Sequence, residues 1–303
     1  MSGPRLLCCG EALIDMIATP APDGPVFRPV PGGGMFNTAI AAARLGLPTG
    51  LIAGLSTDLF GAELVAAATA SGVDISLCPR APRPTTLAFV ALANGQPAYA
   101  FHDENTAGRM LRSADLPALP DSVQALAFGG ISLAGEPCGT TYDALCARES
   151  ARLIVLDPNI RPAIVTDAPA LRARLHRMIA RADIVKLSDE DLDWLAPGAE
   201  PAALTAQGLM IVTRGARGAL AFRGAERIAV PAPAVAVVDT VGAGDTFTAG
   251  VLAGLDRAGA LSKAGLAAAS ADTIRAALIL GSAAAAITVT RAGANPPWAK
   301  ELP

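Results

Sequence analysis

The sequence predicts an α/β protein in which a mainly parallel sheet carries helices on both faces and two irregular segments add short strands. Three observations lead there. Short apolar runs alternate with helix-period stretches along most of the chain, the pattern of strand–helix–strand units. Several helical stretches stop at a glycine, as at Gly46, Gly72 and Gly259, where a left-handed C-terminal residue costs no side chain. Two segments break the alternation and read as strands. With 52% hydrophobic and 17% charged residues, the 303-residue chain can bury a large core, and 4% aromatics means that Ala, Leu, Val and Ile must fill it.

The first run, Leu6–Cys9, is a buried strand, too short for a signal-peptide core. Residues Asp15 to Pro31 include Pro20, Pro22, Pro25, Pro29 and Pro31, which excludes a helix and leaves room for two short strands. A helix over Asn37–Leu45, a strand over Thr49–Ala53 and a helix over Leu59–Ser71 follow. Thr85 to His102 reads as two strands around Asn94-Gly95, a pair that supplies the positive φ angles of a tight hairpin. These two irregular segments form either a small separate sheet or an edge hairpin of the main one. Strands then come at Ala125–Phe128, Leu153–Leu156, Ile184–Lys186, Met210–Thr213 and Ala219–Arg223. Helices come at Thr140–Arg148, Ala168–Arg181, Asp189–Leu195, Thr246–Ala258 and Ala264–Ala286. The apolar stretch Ala276–Val289 contains Gly281 and Ser282, falls short of a membrane span, and reads as a buried helix running into a strand.

Bulk properties exclude some classes of function. A net charge of −3 and a pI near 5.5, without a long basic cluster, give no electrostatic footprint for nucleic acid. Neither a membrane nor a nucleic acid is therefore an expected partner. Five cysteines, an odd number without metal-ligand spacing, suggest reduced thiols in a cytoplasm. No Gly-x-x-x-x-Gly-Lys-Ser/Thr run exists, which excludes a P-loop.

The most informative chemistry lies in Asp239-Thr240-Val241-Gly242-Ala243-Gly244-Asp245-Thr246-Phe247. Gly242, Ala243 and Gly244 are small, so backbone N–H groups can approach a ligand closely, and a helix starting after them adds the positive end of its dipole. Such a turn stabilises charge on a transferring phosphoryl group, and Asp245 could accept the proton of an attacking hydroxyl. On spacing alone, Asp245 as an ordinary N-cap stays equally open. A dinucleotide fingerprint fits less well, because the third glycine is missing.

That run resembles the C-terminal signature of the ribokinase-like (pfkB) carbohydrate kinases. Gly32-Gly33-Gly34-Met35-Phe36-Asn37-Thr38-Ala39 resembles their other signature, and the two stand in the expected order. The resemblance covers essentially the whole chain. It implies a ribokinase-like three-layer α/β/α fold with a mainly parallel central sheet and a small β-sheet lid. Residues 1–303 would form a single kinase domain, with the lid built from about 13–34 and 84–104. It implies an ATP-dependent sugar kinase, with Asp245 as general base, Gly242, Ala243 and Gly244 as anion hole, and Asp15, Gly33, Gly34 and Asn37 as sugar contacts.

Further motifs follow from the same resemblance. Asp157-Pro158-Asn159-Ile160-Arg161-Pro162, after a strand, resembles an element in which the arginine approaches the phosphates; this gives Arg161 a catalytic role and Asn159 a place at the sugar. A helix-entry loop with a solvent-facing arginine is the alternative. Thr213-Arg214-Gly215-Ala216-Arg217-Gly218 resembles a nucleotide element, with Thr213 and Gly215 at ATP and Gly218 turning between strands; Lys186 and Ser188 are further ATP contacts. The family's Mg²⁺-linked N-x-x-E motif appears as Ser188-Asp189-Glu190-Asp191. Its shortened carboxylate makes Asp191 the expected Mg²⁺ partner, through water, and Glu190 a competitor. A K⁺ site is implied at Asp239, Val241 and Gly293, in the turn around Thr290–Ala294. Phe101 and Asp103 should face the sugar from the lid, and an acidic residue at 103 disfavours a carboxylate-bearing substrate. The pattern is most similar to bacterial fructokinases, which implies D-fructose as substrate, with 2-keto-3-deoxygluconate and ribose as alternatives. A non-catalytic sugar or nucleotide sensor on the same fold is the alternative of another class. Pairing of lids implies a homodimer.

Overall fold

The computed structural model describes residues 3–19, 21–93, 96–201, 204 and 208–302. Its strands are β1 (Leu6–Cys9), β2 (Leu13–Thr19), β3 (Val26–Gly32), β4 (Thr49–Ile52), β5 (Leu55–Ser56), β6 (Arg80–Ala81) and β7 (Leu87–Ala93). They continue as β8 (Gln96–His102), β9 (Ala125–Gly129), β10 (Leu153–Asp157), β11 (Ile184–Ser188), β12 (Leu209–Thr213), β13 (Ala219–Arg223) and β14 (Glu226–Val230). The helices are α1 (Gly34–Arg44), α2 (Leu59–Ala70), α3 (Cys138–Arg148), α4 (Ala168–Ile179), α5 (Asp189–Leu195), α6 (Ala243–Arg257), α7 (Lys263–Ala268) and α8 (Ala271–Val289).

Eight strands make the main sheet in the order β14-β13-β12-β11-β10-β9-β1-β4. From β4 to β12 neighbours are parallel, and β13 and β14 close the edge antiparallel. Successive residues of a strand face opposite sides, and β1 shows the result. Leu6 and Cys8 enter the core packed by α1, α2, α6 and α8, while Leu7 and Cys9 enter the core packed by α3, α4 and α5. The outcome is the expected three-layer α/β/α arrangement. All five cysteines are buried and unpaired.

The irregular segments form a separate four-stranded sheet, order β3-β2-β7-β8, rather than an edge hairpin of the main sheet. Hairpins β2–β3 and β7–β8 are joined by parallel pairing of β2 with β7. Leu13, Ala88 and Phe101 form a small apolar cluster with Ile131 and Ile164 of the main layer, so one face of this sheet is turned toward the ends of the parallel strands. The expected Asn94-Gly95 turn, and Pro20, lie outside the described residues.

Several boundaries differ from the sequence reading, for local reasons. Helix α1 starts at Gly34, not Asn37, because Gly33 takes φ +108° and caps it without a side chain. Helix α6 likewise starts at Ala243, behind Gly242 at φ +76°. The single helix expected over Ala264–Ala286 is divided: the Ser270 hydroxyl accepts the Thr273 N–H and starts α8 anew. Among the described residues no strand follows α8, which continues to Val289 and ends on hydrogen bonds from Thr290. Its 19 residues are long and apolar enough to cross a membrane, contrary to the shorter reading, yet the helix packs along α6. There a Cβ on Gly250 would stand 2.6 Å from the Gly281 Cα, so the two backbones touch. The reading missed β14, and it missed β5 and β6, which are two residues each and too short to show a period.

Candidate active site

Two cavities open at the carboxyl ends of the parallel strands and share a wall. The first, about 250 Å³, lies between the small sheet and the main layer. Asp15 and Phe101 line it from β2 and β8, Gly33, Gly34 and Asn37 from α1, Asn159 and Arg161 from the loop after β10, and Gly242, Gly244 and Asp245 from the α6 turn. The second, about 460 Å³, is lined by Thr213, Gly215 and Gly218 after β12, by Ala243 and Gly244, and by apolar residues such as Pro233, Val235 and Ala286. Thr240 and Gly244 belong to both. The amino end of α6 therefore divides a polar compartment from a mostly apolar one.

The sharp entry into α6 follows from its sequence. Gly242 is left-handed, and a Cβ there would lie 2.7 Å from the Ala294 side chain. Asp245 is the third residue of the helix rather than its N-cap, so the capping role left open by spacing does not apply. Its buried carboxylate accepts hydrogen bonds from the amides of Asn37 at 3.0 Å and Asn159 at 3.3 Å. Burial pushes its pKa up to about 7; the Asn37 bond pulls the other way, Asp157 adds to the rise, and Lys186 and Arg161 oppose it. A carboxylate that gains its proton near neutrality suits general-base work.

Asp15 is likewise raised to about 6, first by burial and then by the charge of Glu11, with Arg161 opposing. Arg161 lines the cavity, its guanidinium within 3.4 Å of the Asn159 carbonyl and 3.2 Å of the Ile160 carbonyl. Asn159 itself holds φ +46°, an uncommon left-handed conformation for a non-glycine residue, in line with its place at the site.

Four of the expected contacts stand outside both cavity linings. Asp103 does not line the first cavity: its carboxylate turns to the Thr86 hydroxyl at 2.8 Å and to Arg109 at 3.3 Å, anchoring the end of β8. Asp15 and Glu11 are the carboxylates that line this cavity from that side. Ser188 and Asp191 line neither cavity, and close a capping box on α5, the Ser188 hydroxyl donating to Asp191 at 2.7 Å and accepting its N–H at 2.9 Å. Lys186 also stays out of both linings, 5% exposed, with Nζ 3.1 Å from Asp157. It sits beneath the anion turn, where a Cβ on Gly244 would be 3.1 Å from Nζ. Burial disfavours its charge, but Asp157, Asp191 and Asp245 outweigh that and hold its pKa above the usual lysine range.

The metal expectations fare unequally. The Asp191 carboxylate also accepts the Ile160 N–H at 2.7 Å, so it is committed to backbone and hydroxyl donors. Among the described residues, no group of three His, Cys, Asp or Glu side chains converges on a point. Asp191 and its neighbours do not by themselves make a Mg²⁺ site. Asp239 is half-buried and accepts the N–H groups of Val241 at 3.0 Å and Gly293 at 2.8 Å, joining the two loops implied for K⁺.

Two functional positions escaped the sequence reading. Glu11, 7% exposed, lines the first cavity beside Asp15. Its signal was its place just past a buried strand, at the strand's carboxyl end, where open α/β sheets put ligands. Asp157 forms the ion pair with Lys186 and accepts the Thr248 hydroxyl of α6 at 2.8 Å, fastening β10 and β11 to the anion-turn helix.

Comparisons with known proteins give the family. The pfkB family carbohydrate kinase profile matches residues 4–301. A fructokinase of Rhizobium leguminosarum bv. trifolii is 52% identical over 266 residues, covering 85% of this chain and 82% of the relative. Among solved structures, fructokinase with bound ATP from Xylella fastidiosa superposes with a TM-score of 0.85 at 30% identity, covering 95% of this chain and 93% of that one. A fructokinase double mutant from Vibrio cholerae O395, in a form with fructose, ADP and potassium ion bound, gives a TM-score of 0.83 at 26% identity over 97% of this chain and 94% of that one. This chain belongs to the pfkB family of carbohydrate kinases.

Proposed function

We propose that this protein is an ATP-dependent fructokinase, and the observation that carries the reading is the wall at Gly242–Asp245 shared by the two cavities. A sugar in the polar cavity and a nucleotide in the apolar one meet across it. Asp245 takes the proton of the attacking hydroxyl, that oxygen bonds to the γ-phosphorus, and the bond to the β-phosphate oxygen breaks to release ADP. Backbone N–H groups at the amino end of α6, with Arg161 nearby, stabilise the charge on the transferring group. Asp15 and Asn37 orient the sugar by accepting from and donating to neighbouring hydroxyls. Thr213, Gly215 and Gly218 border the nucleotide.

D-Fructose is favoured over a sugar acid because Glu11 and Asp15 place two carboxylates in the cavity against a single arginine, Arg161. The 52% identity to a fructokinase supports the same choice. An intact Asp245 with both amide partners argues against a sensor without catalysis. ATP enters with Mg²⁺, and the Asp239 junction is the position for K⁺, a reading supported by the potassium ion in the Vibrio cholerae structure. We read residues 1–303 as one domain whose small sheet closes as a lid and excludes water. Lids paired in a homodimer would cover Val26, 58% exposed, on its outer strand. The unpaired, buried cysteines support a cytoplasmic setting.

Coupled ADP release with D-fructose, D-ribose and 2-keto-3-deoxygluconate tests the assignment. The fructose reaction should have the highest kcat/KM. Preference for the sugar acid would reassign the substrate, and sugar binding without turnover on any of the three would favour the sensor.

A further inference from the structure

Glu11 occupies an unusual position for a capping carboxylate. It follows β1 by two residues, is 7% exposed, and still reaches the wall of the sugar cavity. One carboxylate oxygen accepts the Gly34 N–H at 2.7 Å, and the other accepts the Ser132 N–H at 3.3 Å. Its own carbonyl accepts the Phe36 N–H at 3.3 Å. Helix α1 has no side-chain N-cap of its own, so Glu11 supplies from another element the acceptor that the helix lacks. The surrounding turns are shaped to it: a Cβ on Gly130 would come within 2.1 Å of its carboxylate, and one on Gly33 within 2.8 Å of its carbonyl. One turn further along α1, Asn37 donates to Asp245.

We propose that Glu11 is a positioning residue of the sugar site, clamping the Gly33–Gly34 turn to the Gly130–Ser132 turn and so setting Asn37 against Asp245 and Asp15 against the sugar. This rests on the reading of Asp245 as the base. A carboxylate is the side chain for the task because both donors are backbone N–H groups and it accepts through both oxygens. Its charge also acts on Asp15, which is faced by Glu11 from the β1–β2 junction, by Arg161 from the loop after β10 and by Asp245 from α6 across the cavity. Arg28 occupies the next register position on the same face of β3, while the neighbours from β7 and β8 are Ala88 and Phe101.

Glu11→Gln tests this, because glutamine keeps the size but sets an amide N–H₂ against one of the two backbone donors and removes the charge. The fructose kcat/KM should fall about ten- to a hundredfold. Fructose binding measured by calorimetry without nucleotide should weaken, while ATP affinity stays within about twofold, since Glu11 lines the sugar cavity and not the nucleotide one. The acid limb of the sugar-binding profile should move to lower pH, as Asp15 loses a neighbouring negative charge. Unchanged fructose affinity and an unmoved profile, with only a lower unfolding midpoint, would reduce Glu11 to a structural cap. If Glu11→Gln does not fold, Glu11→Asp, which keeps the charge but shortens the reach to the Gly34 and Ser132 N–H groups, should show the same loss of sugar affinity over ATP affinity; equal loss of both would overturn the proposal. Calorimetric binding needs no proton transfer, so it tests Glu11 even if another group proves to be the base.

Discussion

Asp245 is useful because several neighbours hold it between two protonation states. Burial raises its pKa to about 7 against the pull of the Asn37 amide, while Asp15 rises to about 6. Both must be ionised to act, one to take a proton and the other to accept hydroxyl donors. The fructose kcat/KM should therefore climb with pH, with a slope near one on logarithmic axes between the two values and a slope near two below the lower. It should level off above the higher value. A pH–rate profile that is flat from pH 5 to 8 would contradict this pairing. Asn37→Ala removes the bond that favours the ionised base, so the upper midpoint should shift to higher pH. Sequence reading reached Asp245, Asn37 and Arg161 because each stands in a short local motif. It missed Glu11 and Asp157 because their partners are remote: Ser132 lies 121 residues from Glu11, and Thr248 lies 91 from Asp157. Asp103 turns to Thr86 and Arg109 because the direction of a side chain just past a strand end is set by its tertiary partners and not by strand alternation.

At the scale of elements, α6 and its two contacts carry the account. The helix presents the anion turn at one end and lies against α8 through Gly250 and Gly281. Helix propensity alone predicts that Gly250→Ala stabilises the protein by about 1 kcal/mol. The added Cβ would stand 2.6 Å from backbone that cannot swing aside, so we expect a net loss of about 1–3 kcal/mol in urea unfolding. Helix α5 gives a second contrast. Ser188 and Asp191 cap it reciprocally, so Ser188→Ala should cost about 1 kcal/mol of stability while leaving ATP affinity unchanged. Weakened ATP binding would restore Ser188 as a nucleotide contact. The parallel strands of the main sheet, four or five residues each, were legible because each is a mostly apolar run buried on both faces. Helix starts were displaced wherever a left-handed glycine did the capping, at Gly33 and Gly242, since glycine carries no helix signal of its own.

The whole molecule places two cavities of different chemistry on either side of one helix end, above a core split into two layers by the main sheet. The layered core was legible from the alternation of elements, while the prolines that exclude helix left the irregular segments open between a separate sheet and an edge hairpin. The register that brings Asp15, Asn37, Asn159 and Asp245 to one cavity was not, because it depends on the order in which strands assemble. Each ligand should stabilise the fold separately, by about 2.7 kcal/mol at a hundred times its Kd. The central claim is that Asp245 deprotonates fructose during transfer from ATP, and the fructose-dependent rate of ADP release by Asp245→Asn tests it most directly. We predict a loss of at least about a thousandfold in kcat, with ATP and fructose still bound. A variant that turns over at close to the wild-type rate would show that another group takes the proton.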